Sequence, residues 1–425
     1  MTNSGSMKLN KEEIIVFKEK ALQWASQFEV CLLLDNNFSI NACGLHDMEF
    51  VIAAGVKREL KCNSGNAFEE LKYFHASANI FGFFSYDLKN EIEHLTSDHQ
   101  KGIEFPDLYF FEPEFLLSIN HEGKVVGDQK LIETINETTG LVSEKKVDIR
   151  LFERVTKKEY LENVERIKWH IIEGDVYELN YCVEFFADDV SIDPVCVYRR
   201  LKEKSPTPFA SFFKCYDQFL ICASPERFMK KQGEKLFSQP IKGTIRRGKT
   251  AIEDEQFKYD LLNSEKERAE NLMIVDLVRN DLARSSKTGS VNVDELYGIY
   301  SFEHIHQMIS TVSSSIKSDT HFVDVIKNAF PMGSMTGAPK ISAMELIEKY
   351  ELTKRGLYSG ALGYISSNGD FDLNVVIRSL QYNQAKKYLS YEVGSAITFD
   401  SDPVQEYDEC MLKAKAMIEV LKNSI

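Results

Sequence analysis

Thr156-Lys-Lys-Glu-Tyr-Leu-Glu-Asn-Val-Glu-Arg-Ile-Lys-Trp-His-Ile-Ile-Glu-Gly-Asp-Val-Tyr-Glu-Leu-Asn-Tyr-Cys-Val-Glu-Phe-Phe186 contains a helix start, a helix stop and a strand in succession. Thr156 and Glu159 have capping-box spacing, in which each side chain accepts from the other's otherwise orphaned backbone amide, so a helix opens there. It runs to about Glu173, Gly174-Asp175 break it, and Val176 through Phe186 reads as a strand. Downstream, strands are expected near 209–214, 218–223 and 236–241, followed by a long charged amphipathic helix over 252–284. A helix over 321–328 and another from about Pro339 lead into strands at 359–366, 371–381 and 387–393, with a final helix over 403–423. Upstream, the pattern gives a helix over 11–28 and strands at 29–34, 80–86, 109–111 and 115–119, with a hairpin turn at Asn120-His-Glu-Gly123. Strands come in runs between helices, without strict β-α-β alternation. That is an α+β pattern, not a doubly wound one.

At 425 residues the chain exceeds the usual single compact core, so one large domain or two merged units is expected. Residues 1–150 read as sheet with a covering helix and hold no legible chemical constellation; the chemistry lies in 151–425. The opening Met1-Thr-Asn-Ser-Gly-Ser6 reads as flexible. A net charge of −14 argues against nucleic acid, which needs a basic face to neutralise phosphates. No apolar run is long enough for a bilayer, and no signal pattern opens the chain, so no membrane partner and a cytoplasmic location are expected. Eight cysteines are scattered without a C-x-x-C pair, the usage of reduced, buried thiols.

Lys242, in Pro240-Ile-Lys-Gly-Thr244, is a candidate nucleophile. Apolar surroundings and the nearby Arg246 and Arg247 are expected to lower its pKa and free the amine. Taken alone, the same residue also reads as a solvated strand-end charge. Two Glu-x-x-Glu pairs, Glu267/Glu270 and Glu406/Glu409, each share a helix face, with Lys413 one turn beyond the second. The apolar run Leu272–Leu277 implies deep burial just past the first pair. Oxygen-only sets of this kind suit magnesium, although solvated helix faces have the same spacing. Ser334-Met-Thr-Gly-Ala-Pro-Lys340 lacks the spacing of a phosphate loop. His304 and His306 lie two apart and read as ordinary polar positions.

Taken in order, several segments resemble the chorismate-utilising enzymes, the family that includes the anthranilate, aminodeoxychorismate, isochorismate and salicylate synthases. They are Gly174-Asp-Val-Tyr-Glu-Leu-Asn180, Ala223-Ser-Pro-Glu-Arg-Phe228, Pro240-Ile-Lys-Gly-Thr244 and Arg268-Ala-Glu-Asn-Leu-Met-Ile-Val-Asp-Leu-Val-Arg-Asn-Asp-Leu282. Then come Gly333-Ser-Met-Thr-Gly-Ala-Pro-Lys340, Tyr358-Ser-Gly-Ala-Leu-Gly-Tyr364, Asn374-Val-Val-Ile-Arg378 and Ser401-Asp-Pro-Val-Gln-Glu-Tyr-Asp-Glu409. The match runs from about Glu159 to Lys422, with Gly82-Phe-Phe-Ser-Tyr86 a weaker echo in a divergent N-terminal part.

The resemblance implies a large antiparallel-sheet α/β/β/α sandwich of the anthranilate synthase component I type. It implies Mg2+ on Glu270 and Glu409, with Glu267 and Glu406 as their neighbours, and chorismate as substrate. Lys413 would contact the ring carboxylate. Tyr358 and Arg378 would bind the enolpyruvyl carboxylate, with Gly394, Ser395 and Thr244 completing the substrate set. The lysine at 242 resembles aminodeoxychorismate synthases. It implies attack of Lys242 on ring C2, loss of the C4 hydroxyl, entry of ammonia at C4, and Glu226 as general acid and base with a pKa raised by burial. A simple pairing of Glu226 with Arg227 is the alternative. Isochorismate and salicylate synthases carry a lysine where Glu178 stands here, which disfavours water as nucleophile. Gln307 replaces a histidine of the family, leaving His306 or Glu226 to assist the leaving group, and Ala396 replaces a glycine. No amidotransferase Cys-His-Glu arrangement is legible, so ammonia would come from a separate glutamine amidotransferase subunit in a heterodimer. The alternatives are an anthranilate synthase component I, favoured by any tryptophan site in the first 150 residues, or a degenerate chorismate-binding paralogue.

Overall fold

The computed structural model describes residues 4–36, 48–93, 95–139 and 149–422. Two large antiparallel sheets dominate it. The twelve-stranded sheet runs in the order Ser4–Lys8, Lys124–Asp128, Phe115–Asn120, Met48–Ala54, Val30–Asp35, Phe209–Cys215, Gln218–Ser224, Ser379–Asn383, Tyr388–Ile397, Glu178–Ala187 and Phe152–Glu153, with Gly337–Ala338 paired to Glu178–Ala187 off that path. The ten-stranded sheet runs Ile241–Arg246, Ile305–Ser315, Lys235–Gln239, Arg227–Gln232, Phe371–Val375, Ala361–Ile365, Ile80–Phe84, Leu108–Glu112 and Arg58–Cys62, with Asn292–Ser301 beside Ile305–Ser315. Strands from the first 150 residues therefore hydrogen-bond directly to strands from the rest of the chain, Val30–Asp35 to Phe209–Cys215 and Ile80–Phe84 to Ala361–Ile365.

The strand sequences are apolar at consecutive positions because both faces are covered. Cys31 and Leu33 face a helical layer, whereas Val30 and Leu32 face the other sheet. Ile80 and Phe84 face the second helical layer, whereas Phe81 and Phe83 point inward. The helices Lys11–Ala25, Gln129–Glu137, Lys157–Glu173, Pro194–Lys204, Lys340–Tyr350 and Pro403–Leu421 cover the twelve-stranded sheet. Ala67–His75, Glu265–Ser285 and Phe322–Ala329 cover the other. The architecture is the α/β/β/α sandwich expected, and the Thr156–Glu159 capping box forms as read.

Several boundaries differ from the sequence expectation, each for a local reason. The long helix breaks into Ala251–Asn263 and Glu265–Ser285 because Ser264 leaves helical geometry and uses its hydroxyl to cap the second helix at Glu267. The expected strand 371–381 is two strands in different sheets, Phe371–Val375 and Ser379–Asn383. The expected strand 236–241 breaks at Pro240, which has no amide to give a ladder, so Lys235–Gln239 and Ile241–Arg246 pair separately with Ile305–Ser315. Ser4–Lys8 is an edge strand on Lys124–Asp128, where a flexible opening was expected; Met1–Asn3 lie outside the described residues. The run Leu272–Leu277 is amphipathic: Ile274 and Val275 are buried, but Leu272 is 50% exposed. All seven described cysteines are free, and six of them are buried; Cys43 lies outside the described residues.

Phe83 lies at the centre of the inter-sheet core, fully buried and edge-on to Phe105 and Phe213 at ring-centre distances of 5.6 and 5.5 Å. Phe83→Ala should lower unfolding free energy by about 3–5 kcal/mol, read from the urea midpoint at unchanged m-value.

Candidate active site

Two adjacent chain crossings between the sheets build the floor of the site. Ser224-Pro-Glu226 carries the chain from Gln218–Ser224 in one sheet to Arg227–Gln232 in the other. Val376-Ile-Arg378 makes the reverse passage from Phe371–Val375 to Ser379–Asn383. The crossings are tied together: Val375 N–H donates to Glu226 O at 3.0 Å, and Ala223 N–H donates to Arg378 O at 3.0 Å. Ser224 Oγ donates to Val375 O at 2.6 Å and accepts from Glu226 N–H at 3.2 Å. Arg378 takes the left-handed conformation, φ +52°, that its crossing requires and that a non-glycine residue seldom adopts. Both side chains named from the sequence thus sit on backbone fixed by long-range hydrogen bonds.

Glu226 is 5% exposed, and its Oε1 accepts from Ser334 Oγ at 2.7 Å. Burial pushes its pKa up to about 7, against the downward pull of the Ser334 hydroxyl and the Lys242 ammonium. It is not paired with Arg227, whose guanidinium binds Asp372 at 2.9 and 3.0 Å. A cavity of about 20 Å³ bounded by Glu226, Ser334, Phe228, Pro240 and Asp281 lies beside it. That is room for one water.

Lys242 follows the Pro240 break on the edge strand Ile241–Arg246, at a register shift between Ile241 and Thr244. Its Nζ sits 2.6 Å from Glu178 Oε1, a carboxylate only 1% exposed at the start of Glu178–Ala187. Burial alone would lower the Lys242 pKa, but Glu178, Glu270 and Glu226 together outweigh it, so the pKa is raised. The expectation of a depressed amine is therefore wrong. The arginines that were to depress it are engaged elsewhere, Arg246 with Glu253 and Arg247 with Asp254. Gly243, at φ +89°, lies so close over the first glutamate helix that an added Cβ would stand 2.9 Å from Glu267 Oε2.

Glu267 and Glu270 face the site from Glu265–Ser285, and Glu406, Glu409 and Lys413 from Pro403–Leu421. Burial raises the Glu270 pKa to about 7, with Glu178 and Glu267 adding repulsion and Lys242 and Lys266 opposing. Glu267 is likewise raised by burial. For Glu409 burial acts upward, but Lys413, 2.6 Å away, holds its pKa below the usual range. Lys266 Nζ spans the two helices, 3.9 Å from Glu270 and 3.7 Å from Glu406. The donor chemistry fits magnesium: hard carboxylate oxygens, one of them costly to ionise without a nearby cation. Among the described residues no three such side chains converge as a ready-made metal cage. An ion that takes one or two carboxylates and completes its shell with water and substrate oxygens does not require one.

Tyr358 is 4% exposed, and its burial raises the phenol pKa well above the usual value. It lies close enough to Arg378 to act on it electrostatically. Among the described residues no ion pair or hydrogen bond holds the Arg378 guanidinium, and burial pulls its pKa down. Lys413 Nζ donates to Gly394 O at 3.1 Å. Gly394 pairs with Cys182 so closely that a Cβ would meet the Cys182 sulfur at 2.5 Å. The Ser395 hydroxyl is fully buried against Tyr160 at 2.9 Å, and Thr244 is exposed. His306 is not free to assist, because its ring nitrogens meet Asp254 and Ser301, both at 2.9 Å. Gln307, opposite Thr244 in the ladder, is buried with an unpartnered carboxamide oxygen. Sequence reasoning used Glu178 only to exclude a relative and passed over Ser334 and Lys266. Glu178 and Ser334 lie inside quoted motifs, and Lys266 immediately precedes the Glu267/Glu270 pair.

No helix among the described residues is long and apolar enough to cross a membrane. The family model described as chorismate binding enzyme matches residues 30–419. The chain is 34% identical over 370 residues to aminodeoxychorismate synthase component 1 of Bacillus subtilis, covering 81% of this chain and 77% of that protein. It is 30% identical to anthranilate synthase component 1 of Acetivibrio thermocellus, covering 81% and 75%. The solved structure of anthranilate synthase component I from Streptococcus pneumoniae superposes with a TM-score of 0.77 at 26% identity, covering 90% of this chain and 93% of that one. With crossings, acids and lysines arranged as above and a family match over most of its length, this chain belongs to the chorismate-binding enzymes.

Proposed function

We propose that the chain aminates chorismate at C4 to give 4-amino-4-deoxychorismate, using ammonia from a separate glutamine amidotransferase subunit. The observation that carries this reading is Lys242: its side chain is only 10% exposed, 2.6 Å from Glu178 and within electrostatic reach of Glu226 and Glu270, which supports a covalent role. The Bacillus subtilis relative bears the corresponding name. The free thiols fit a cytoplasmic reaction.

In this reading Lys242 rests as an ammonium on Glu178 and gives its proton to that carboxylate when substrate binds. The neutral amine attacks ring C2 as the two ring double bonds shift, and the C4–O bond breaks. Glu226, protonated near neutrality, donates to the departing hydroxyl, which leaves as water. Ammonia then adds at C4, the double bonds shift back, and the C2–N bond to Lys242 breaks. Glu226 takes the proton that ammonia sheds. The net change is chorismate plus ammonia to aminodeoxychorismate plus water. The unpaired Arg378 guanidinium and the Tyr358 phenol would hold the enolpyruvyl carboxylate. Bound magnesium, on Glu270 and Glu409 with Glu267 and Glu406 beside them, would supply positive charge against the ring carboxylate. Lys413 would add to that charge.

The product distinguishes this reading from the anthranilate alternative, which the Acetivibrio thermocellus relative keeps open. Protein incubated with chorismate, magnesium and ammonium should yield aminodeoxychorismate by mass spectrometry, and Lys242→Ala should abolish it. Anthranilate with released pyruvate would overturn the assignment.

Glu226 also makes a signed pH prediction. Its folded pKa of about 7 lies above the unfolded value of about 4.3, so between those limits the folded chain binds a proton that the unfolded chain does not. That stabilisation is complete below the unfolded pKa and is lost as pH rises through 7. Between pH 4.5 and 7.5 the wild type should lose about 2–3 kcal/mol relative to Glu226→Gln, measured by urea unfolding at each pH. Glu226→Gln should also lower kcat by about 10²–10⁴ without disturbing the fold.

A further inference from the structure

The reading above leaves Lys266 without a role, although among the described residues it is the lysine that spans both glutamate helices. Its ammonium stands 3.9 Å from Glu270 on its own helix and 3.7 Å from Glu406 on the C-terminal helix. Glu406 is only 4% exposed and is already held by Ser401 Oγ at 2.8 Å, whereas the Lys266 side chain is 49% exposed. One end of the bridge is therefore fixed and the other is free to leave. Both contacts are at the long limit for an ion pair, so the lysine can withdraw into water at small cost. Lys242 and Lys413 differ in this respect: each has a 2.6 Å carboxylate partner, and their side chains are only 10% and 31% exposed.

We propose that Lys266 is a displaceable internal cation that stands between the two glutamate helices, beside Glu270 and Glu406, and gives way when magnesium binds. Without magnesium its ammonium offsets the charge of Glu270 and Glu406 and keeps the helices from repelling each other. Magnesium replaces it, and the side chain swings to solvent. Lys266 is thus a positioning residue that sets the affinity and selectivity of the metal step, and this role rests on the magnesium assignment made above.

The test is magnesium binding to the chorismate-free protein, measured by titration calorimetry with MgCl2 alone. Lys266→Gln should bind magnesium roughly 3–10-fold more tightly than wild type. Lys415→Gln on the C-terminal helix, whose lysine pairs 3.8 Å from Glu419, is the control for a general change of charge and should shift affinity far less. In wild-type protein, magnesium should also raise the rate at which an amine-acylating reagent labels Lys266, read by peptide mass spectrometry; this holds even if the variant folds poorly. Unchanged or weaker magnesium binding in Lys266→Gln, or labelling that ignores magnesium, overturns the proposal. Glu270→Gln separates the two layers of the argument. If that variant binds magnesium as well as wild type, the metal assignment itself fails; if it binds weakly while Lys266→Gln does not gain, only the role of Lys266 fails.

Discussion

The exchange of two neighbouring strands between the sheets is the constraint on which the site depends. At Ser224-Pro-Glu226 and Val376-Ile-Arg378 the chain passes in opposite directions, and each crossing donates a backbone hydrogen bond to the other. A single crossing would leave amides and carbonyls unpaired in a buried layer; paired, they satisfy one another. The residues at the crossings are then held without a ladder of their own. Glu226 and Arg378 can consequently face a gap between sheets while both remain largely buried, and Arg378 can sustain a left-handed backbone that solvent-exposed chain would abandon.

Electrostatics follow from that placement. Carboxylates on four separate segments, Glu178, Glu226, Glu267/Glu270 and Glu406/Glu409, are brought into one region, where Glu178, Glu226 and Glu406 are buried and Glu409 is half-exposed. Burial pushes Glu226 and Glu270 to about 7, against the Ser334 hydroxyl at Glu226 and the neighbouring lysines at both. The chain can therefore carry a net charge of −14 and still be arranged for an anionic substrate, because the cations are concentrated where the field is focused. The same surplus of acid makes a metal ion welcome between the helices.

Much of the fold was legible because its signals are local. The Thr156–Glu159 capping box and the Gly174 stop are written within a few residues, and the structure has them where they were read. The errors fall where a tertiary choice overrides a local one. Phe371–Asn383 is continuously strand-like in sequence, and nothing within it reveals that Val376–Arg378 changes sheets. Ser264 looks like any helix residue until the direction of the next helix is known. The site was legible in its residue types but not in its pairings. Lys242 and Glu226 stood out, yet the carboxylate that governs Lys242 lies 64 positions away at Glu178, and its effect reverses the sign of the expected pKa shift.

That reversal bears on how such a site avoids unwanted reaction. A depressed lysine pKa would leave a free amine in the empty protein, open to any electrophile. Here burial favours the neutral amine, but three carboxylates outweigh it, so the ammonium is the resting state. The balance is between large opposing effects and is easily tipped. Positive charge brought toward Glu270 weakens one stabilising partner, and closure over the site strengthens the desolvation that already opposes charge. In the proposed mechanism the groups that would bind substrate and metal are therefore the groups that would release the nucleophile, which couples activation to occupancy.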